Sequence, residues 1–435
     1  MTSKTTWKRV LIGAALLPVV GALVLLSIAR IEMTPNGVHT RLLVPAGSQR
    51  NIGIHVYSGS GDAPTIPGFL DGPVVRAAQG GRWQATWFCE NAVHERTGSA
   101  EVLEISCGGS KSSYPVGAGP QVSPATTAAP ANMVVLSDIE GNAVFLDAAL
   151  RELGVLGTDG RWSYGSGQLV IAGDAVDRGR DVFAVLWRLY ALGLQAQAQG
   201  GAVHLLLGNH EQYLLRGNST RANREHIHTI ERLGGVGRAF GADTVLGAWL
   251  RQQPVILQAG KVLITHAGIS PQVAASGLSI TQLNEAQRRY WQGNTTRSAA
   301  LDAVFGPLGL TQYRGYVEDM EGSYARATPA EVTHALERFG ADAIVVGHTL
   351  VTQITPMYQE RVYAIDVNSN TAASEALLFE HGRARIVPLQ AQRRLPGEHP
   401  EVVTRRLNLA RAEDWRTIGR FLKRSYALSQ LPHPY

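Results

Sequence analysis

Carboxylates, imidazoles and an asparagine recur along this chain in five short segments. They are Asp138-Ile-Glu140-Gly-Asn142, Gly173-Asp174-Ala-Val-Asp177-Arg178-Gly179, Gly208-Asn209-His210-Glu211, Thr265-His266-Ala-Gly268 and Gly347-His348-Thr349. Together they have the makings of a two-metal phosphoesterase centre. Hydrolysing a phosphate ester needs a nucleophile, neutralised phosphoryl oxygens and help for the leaving group. Two divalent cations about 3.5–4 Å apart bridge a hydroxide and clamp the phosphate. Such a pair needs a shared carboxylate, and Asp174 is the natural bridge. Asp138 and Glu140 lie two apart, so on a regular strand they point the same way and reach one metal together. Asn209, His266 and His348 complete the second.

The elements that must position these residues are legible as well. Each segment follows an apolar run that reads as a buried strand: Met133 to Leu136, Leu169 to Ala172, Val203 to Leu207, Val262 to Ile264 and Ala343 to Val346. Ligands at the carboxyl ends of successive strands are where an open α/β sheet builds its site. Ala143 to Leu153 and Val182 to Leu192 read as helices between the first three strands. Longer helical insertions, about 212–252 and 272–335, read as caps over the site. His226 and His228, in the first insertion, read as cap residues, and Asp366, after the run Val362 to Ile365, as a support of the site.

The 435 residues are 45% hydrophobic and 17% charged with net charge +5, a mild basicity with no Arg/Lys-aromatic stripe to suggest nucleic acid. Lys4, Lys8 and Arg9 (tail 1–9) precede an apolar run at 10–29, about 20 residues, the length that crosses a bilayer. The positive-inside bias exports the remainder of the chain, and a cleaved signal peptide is the alternative. Residues 33–108 read as a small β-rich domain and 109–131 as a Gly/Ser/Pro linker. Residues 132–392 read as the catalytic domain, and 393–435 as a basic helical tail. An exported chain permits a disulfide. Cys89 and Cys107 are equidistant from Gly98, so a simple hairpin would bring them face to face; two free buried thiols are the alternative.

The five segments resemble those of the calcineurin-like metallophosphoesterase superfamily. Gly173 to Gly179 and Gly208 to Glu211 are most similar to its phosphoprotein phosphatase branch, which includes the bacterial Shewanella-like phosphatases. The resemblance covers about 132–390. It implies an α/β metallophosphoesterase β-sandwich flanked by helices, here preceded by a transmembrane helix and the small β-rich domain. By position it makes Asp138 and Asp174 ligands of the first metal, and Asp174, Asn209, His266 and His348 ligands of the second. It makes His210 the leaving-group acid, held by Asp177, and Arg178 a phosphate-binding residue. Tyr313-Arg314-Gly315 resembles the segment supplying a second such arginine, Arg314. Glu140 stands where the family has histidine. Three carboxylates around the first metal favour Mn²⁺ over Zn²⁺, with Mg²⁺ and Fe as further candidates, and predict an alkaline optimum.

The expected activity is hydrolysis of phosphomonoesters, on phosphorylated protein or a small phosphoester, by direct attack of a bimetal-bound hydroxide. Diadenosine polyphosphate or nucleotide hydrolysis and phosphodiester hydrolysis are alternatives, and a catalytically weak membrane-tethered binding module is another. The expected location is the bacterial inner membrane, anchored by the N-terminal helix, with the catalytic domain on the periplasmic side.

Overall fold

The computed structural model describes residues 24–33, 40–45, 51–55, 66–117, 122–219, 221–367, 374–393 and 403–430. They divide into two compact units: residues up to His55 with Val403 onward, and Ile66 to Arg393.

The smaller unit is a four-stranded antiparallel sheet. Strands β1 (Arg30–Met33), β2 (Thr40–Pro45) and β3 (Asn51–His55) follow one another, and Val403–Arg406 pairs with the free edge of β1. The helix Ala412–Ser429 comes next, and Ala29, Ile31, Leu42, Leu407 and Ile418 form the core. The tail is therefore more than the expected helix: it supplies a sheet strand, because Leu407 and Ile418 need an apolar partner. Arg405, one of its basic residues, forks onto Asp414 at 2.7 and 2.6 Å. Most of the expected membrane span, and the tail before it, lie outside the described residues. Residues 24–28 are helical, and among the described residues no helix is long and apolar enough to cross a membrane.

The larger unit opens with β4 (Leu70–Ala78), β5 (Arg82–Cys89) and β6 (Ala92–Gly98), an antiparallel meander. A hairpin of β7 (Val102–Cys107) and β8 (Ser110–Pro115) comes after it. Two boundary expectations are corrected here. Residues 33–108 are not one domain, because the chain changes unit between His55 and Ile66. Residues 109–131 are not all linker: Gly108 and Gly109 make a turn, but Tyr114 is buried and its ring packs on Trp187 at 5.4 Å. Cys89 and Cys107 do form a disulfide, with Cα atoms 5.8 Å apart. It joins two successive hairpins, since the expected turn around Gly98 is the end of β6.

At the centre, two sheets face each other. In one, β10 (Asn132–Leu136), β11 (Gln168–Ile171) and β12 (Ala202–Leu205) run parallel; β18 (Ser374–Glu380) and β19 (Arg383–Leu389) continue it antiparallel. The other runs β16 (Thr355–Met357), β17 (Val362–Ala364), β15 (Ala343–Val346), β14 (Val262–Thr265), β13 (Ile256–Ala259) and β9 (Thr126–Thr127). Met133, Val135 and Val170 fill the gap between the sheets with Leu257, Ile264, Val345 and Phe379. Val134 and Leu136, equally buried, point the other way, as alternation requires. Burial on both faces is why these strands are apolar throughout. The insertions are helical, with Arg224–Arg232, Val245–Gln252, Ile280–Trp291 and Pro329–Phe339 the longest segments.

Candidate metal centre

The site is built where the strands stop. β10 ends at Leu136 and β11 at Ile171, and the residues after them leave extended geometry. Asp138, Glu140, Asp174, Asp177, Arg178 and His348 all adopt positive φ, between 51° and 69°. Each such residue costs about 1–3 kcal/mol, and their concentration at one end of the sheets marks a place where geometry outranks stability. It also corrects one expectation: Asp138 and Glu140 do not share a strand face, because neither is in a strand.

Hydrogen bonds hold these turns in place. Asp138 N–H donates to Gly173 O at 3.1 Å and Glu140 N–H to Asp174 O at 3.0 Å. Glu211, fully buried, accepts from the N–H groups of Asp174 (2.9 Å), Ala175 (2.7 Å) and Gly208 (2.8 Å). Residue type alone gives Glu211 no role, although it ends the Gly208–Glu211 segment. Gly208 is needed because a Cβ there would strike Asp174, and Gly347 because one would strike Ser137.

The structure brings Asp174, Asn209, His266 and His348 together. His266 Nδ1 lies 2.9 Å from Ala172 O and must carry a proton, which leaves Nε2 to face the site and to offer its lone pair to a metal ion in place of a second proton. That nitrogen faces Asn209 Oδ1 at 3.0 Å, His348 Nδ1 at 3.1 Å and Asp174 Oδ2 at 3.3 Å. Lone pairs converging in a buried space repel unless a cation sits among them, so the donor set fits a divalent metal. Among the described residues, Asp174, His266 and His348 form a group whose donor atoms all lie within 4.8 Å of one another.

The first-metal side is acidic. Asp138, Glu140 and Asp366 lie within electrostatic reach of one another and of Asp174. Burial, then the charge of Asp366, pushes the Asp138 carboxyl well above its ordinary range. Burial pushes Glu140 to about 7 against the pull of Arg178. Burial would lower His266, but the Asp174 carboxylate lifts it to about 10. All three shifts are those of a site short of positive charge, which metal ions would supply. Asp138 Oδ2 also accepts the N–H of His348 at 3.1 Å and is in close contact with Ser137 Oγ. Behind it, the half-buried Arg393 donates to the carbonyls of Asp138 (2.6 Å) and Ser137 (3.1 Å) and lies over Phe145. No sequence signal marks Arg393, which is far along the chain.

Glu140 is placed differently from expectation. Its Oε1 is in ion-pair contact with Arg178 Nη1 rather than grouped with Asp138 and Asp174 around one point. Arg178 is otherwise half exposed and faces outward. His210, at the start of the helix Asn209–Leu215, has Nδ1 2.9 Å from Asp177 Oδ2, which leaves Nε2 for the site. Burial lowers its pKa, but Asp174 and the bond to Asp177 outweigh this and raise it. Arg314 Nη1 donates to His348 O at 2.7 Å, so it lies beside the centre.

Comparison with known proteins agrees with this geometry. Residues 131–352 match the model of the calcineurin-like phosphoesterase family. A symmetrical bis(5'-nucleosyl)-tetraphosphatase of Erwinia tasmaniensis is 37% identical over 143 residues, 32% of this chain and 47% of that one. Shewanella-like protein phosphatase 1 of Plasmodium berghei is 24% identical over 231 residues, 50% of this chain and 60% of that one. The chain thus spans about half the length of these curated relatives. The crystal structure of a cold-active protein-tyrosine phosphatase of a psychrophilic Shewanella species superimposes with a TM-score of 0.67 at 30% identity, covering 74% of this chain and 100% of that one. The family uses a two-metal centre, and by its matched segments and the site they build, this chain belongs to the calcineurin-like phosphoesterases.

Proposed function

We propose that the protein is a metal-dependent phosphomonoesterase acting on phosphorylated protein or a small phosphoester. The observation that carries this reading is the His210–Asp177 pair set beside the converging donors of Asp174, Asn209, His266 and His348. A site that only bound metal or phosphate would have no use for a buried, oriented acid.

Asp138 and Asp174 would hold the first metal, and Asp174, Asn209, His266 and His348 the second. When bound, the two ions activate water and neutralise phosphoryl charge. The rest falls to this chain's own groups. Arg178 and Arg314 hold phosphoryl oxygens and orient the ester, Arg178 by exchanging Glu140 for substrate. His210 Nε2 delivers a proton to the leaving oxygen, while Asp177 fixes the ring and balances its charge. Glu140 Oε1 engages the arginine, and we assign the same carboxylate to the first metal once phosphate has taken Arg178. An oxygen-rich first shell supports Mn²⁺. The basic flank at Lys4, Lys8 and Arg9 and the disulfide support a periplasmic, membrane-anchored location, to be tested by protease accessibility in spheroplasts.

The test of function is turnover of p-nitrophenyl phosphate, bis-p-nitrophenyl phosphate and diadenosine tetraphosphate, metal-free and with Mn²⁺, Mg²⁺ or Zn²⁺. Metal-dependent monoester turnover, lost in His210→Ala and Asp174→Asn, is expected. Preference for the diester or the dinucleotide would replace the substrate class. Folded protein inert with every metal and substrate would overturn the reading.

A further inference from the structure

We propose that Asp71 and His226 are positioning residues for the leaving-group acid, acting on His210 through the second carboxylate oxygen of Asp177. The inference rests on the phosphoesterase reading above and extends its machinery into a segment outside the family match, residues 131–352.

Asp71 lies on β4, where the register with β5 breaks between Asp71 and Val74, and it is 1% exposed. Its Oδ2 lies 2.8 Å from His226 Nδ1 and also takes the hydroxyl of Thr229. Both partners belong to the cap helix Arg224–Arg232. His226 is fully enclosed, and its Nε2 has no hydrogen-bond partner among the described residues. Asp177 Oδ1 is enclosed and unpartnered in the same way, while Asp177 Oδ2 holds His210 Nδ1 at 2.9 Å.

The two orphaned atoms belong to neighbours. Burial lowers His226, but Asp71 first and then Asp177 raise it, so the Asp177 carboxylate is within electrostatic reach of the ring. Buried polar atoms are nearly always satisfied. Here one is a donor and the other an acceptor, neither is met by a described residue, and a single bound water would satisfy both. The outcome is a series of alternating acid and base, Asp71, His226, Asp177 and His210. With a donor on each oxygen, Asp177 loses the freedom to rotate, and His210 Nε2 stays aimed at the leaving oxygen. On this view β4 belongs to the working parts of the enzyme. A purely structural role, in which Asp71 only pins the cap helix to β4, predicts something different.

The test uses the full chain with Mn²⁺ and the near-isosteric variants Asp71→Asn and His226→Gln, with Thr229→Val as the mildest change. Each is assayed on p-nitrophenyl phosphate, whose leaving group needs little protonation, and on phenyl phosphate, which needs much. The ratio of the two kcat values is independent of the fraction folded, since unfolded molecules contribute to neither. Expected is a fall of about tenfold in kcat for phenyl phosphate, little change for p-nitrophenyl phosphate, and unchanged KM and calorimetric Mn²⁺ affinity. A ratio unchanged from wild type in the variants that fold overturns the proposal and leaves Asp71 a structural pin. Wild-type protein that turns over neither substrate overturns the phosphoesterase reading, a failure distinct from the first.

Discussion

At the scale of single residues, the site is governed by charge taken out of water. Glu211 shows how: a buried carboxylate is tolerated because N–H groups from Asp174, Ala175 and Gly208 surround it. Glu211→Gln keeps the shape but turns an N–H donor toward those donors. The expected cost is about 1–3 kcal/mol of stability, together with weaker Mn²⁺ binding because Asp174 loses its anchor. Chemical denaturation and metal titration check both, and a variant as stable as wild type would show the cradle to be dispensable. Glu140 presents the opposite case, a carboxylate with two possible employers. If it serves the first metal when Arg178 binds phosphate, Glu140→His shifts preference from Mn²⁺ toward Zn²⁺ and lowers the pH optimum. If only KM moves, Glu140 serves Arg178 alone. Residue types pointed to Asp174, Asn209, His266 and His348, and the fold brings these four together. Sequence could not tell where Glu140 points, because that depends on a positive φ, and adjacent residue types do not reveal it.

At the scale of elements, strands were legible and their companions were not. β10, β11, β14 and β15 announce themselves because burial on both faces demands unbroken apolar runs. The segment 66–117 was harder to place. Its strands alternate like an independent small domain, and only the partners of Asp71, Tyr114 and Pro73 show otherwise: His226, Trp187 and Trp187 Nε1, the last at 3.0 Å. Arg393 was illegible for the same reason, since its contacts lie more than two hundred residues away in sequence. Two predictions belong here. Opening the disulfide by Cys89→Ser with Cys107→Ser frees a loop of 18 residues, which costs about 3 kcal/mol, read as a lowered denaturation midpoint. The Asp71–His226 pair makes stability depend on pH. His226 titrates higher in the folded chain than its ordinary value of about 6.5. A raised folded value means the stabilisation is complete below the ordinary histidine range and is lost as pH rises through the folded value. The melting temperature of wild type should therefore exceed that of His226→Gln most at about pH 5 and least at about pH 9. A constant gap across that range would mean the pair is held without charge.

At the scale of the whole molecule, the chain carries two cores of very different size. One is the extensive apolar layer between the central sheets, and the other rests on Ala29, Ile31, Leu42, Leu407 and Ile418. Cooperativity tracks the core, so calorimetry should resolve two transitions, with the smaller unit melting first. Metal makes the assignment decisive. All the candidate ligands lie between Asp138 and His348, in the larger unit. Without metal, its carboxylates are crowded enough to push Asp138 and Glu140 upward. Cations that bind the folded site and not the unfolded chain stabilise by mass action, about 2.7 kcal/mol at a hundredfold excess over Kd. For a unit of this size that is roughly 4 °C or more. Mn²⁺ should therefore raise the second transition by that amount and leave the first where it was, and a chelator should reverse it. Asp174→Asn, which removes the shared ligand, should abolish the shift while keeping both transitions. One transition that moves as a whole with metal would show instead that the two cores unfold together.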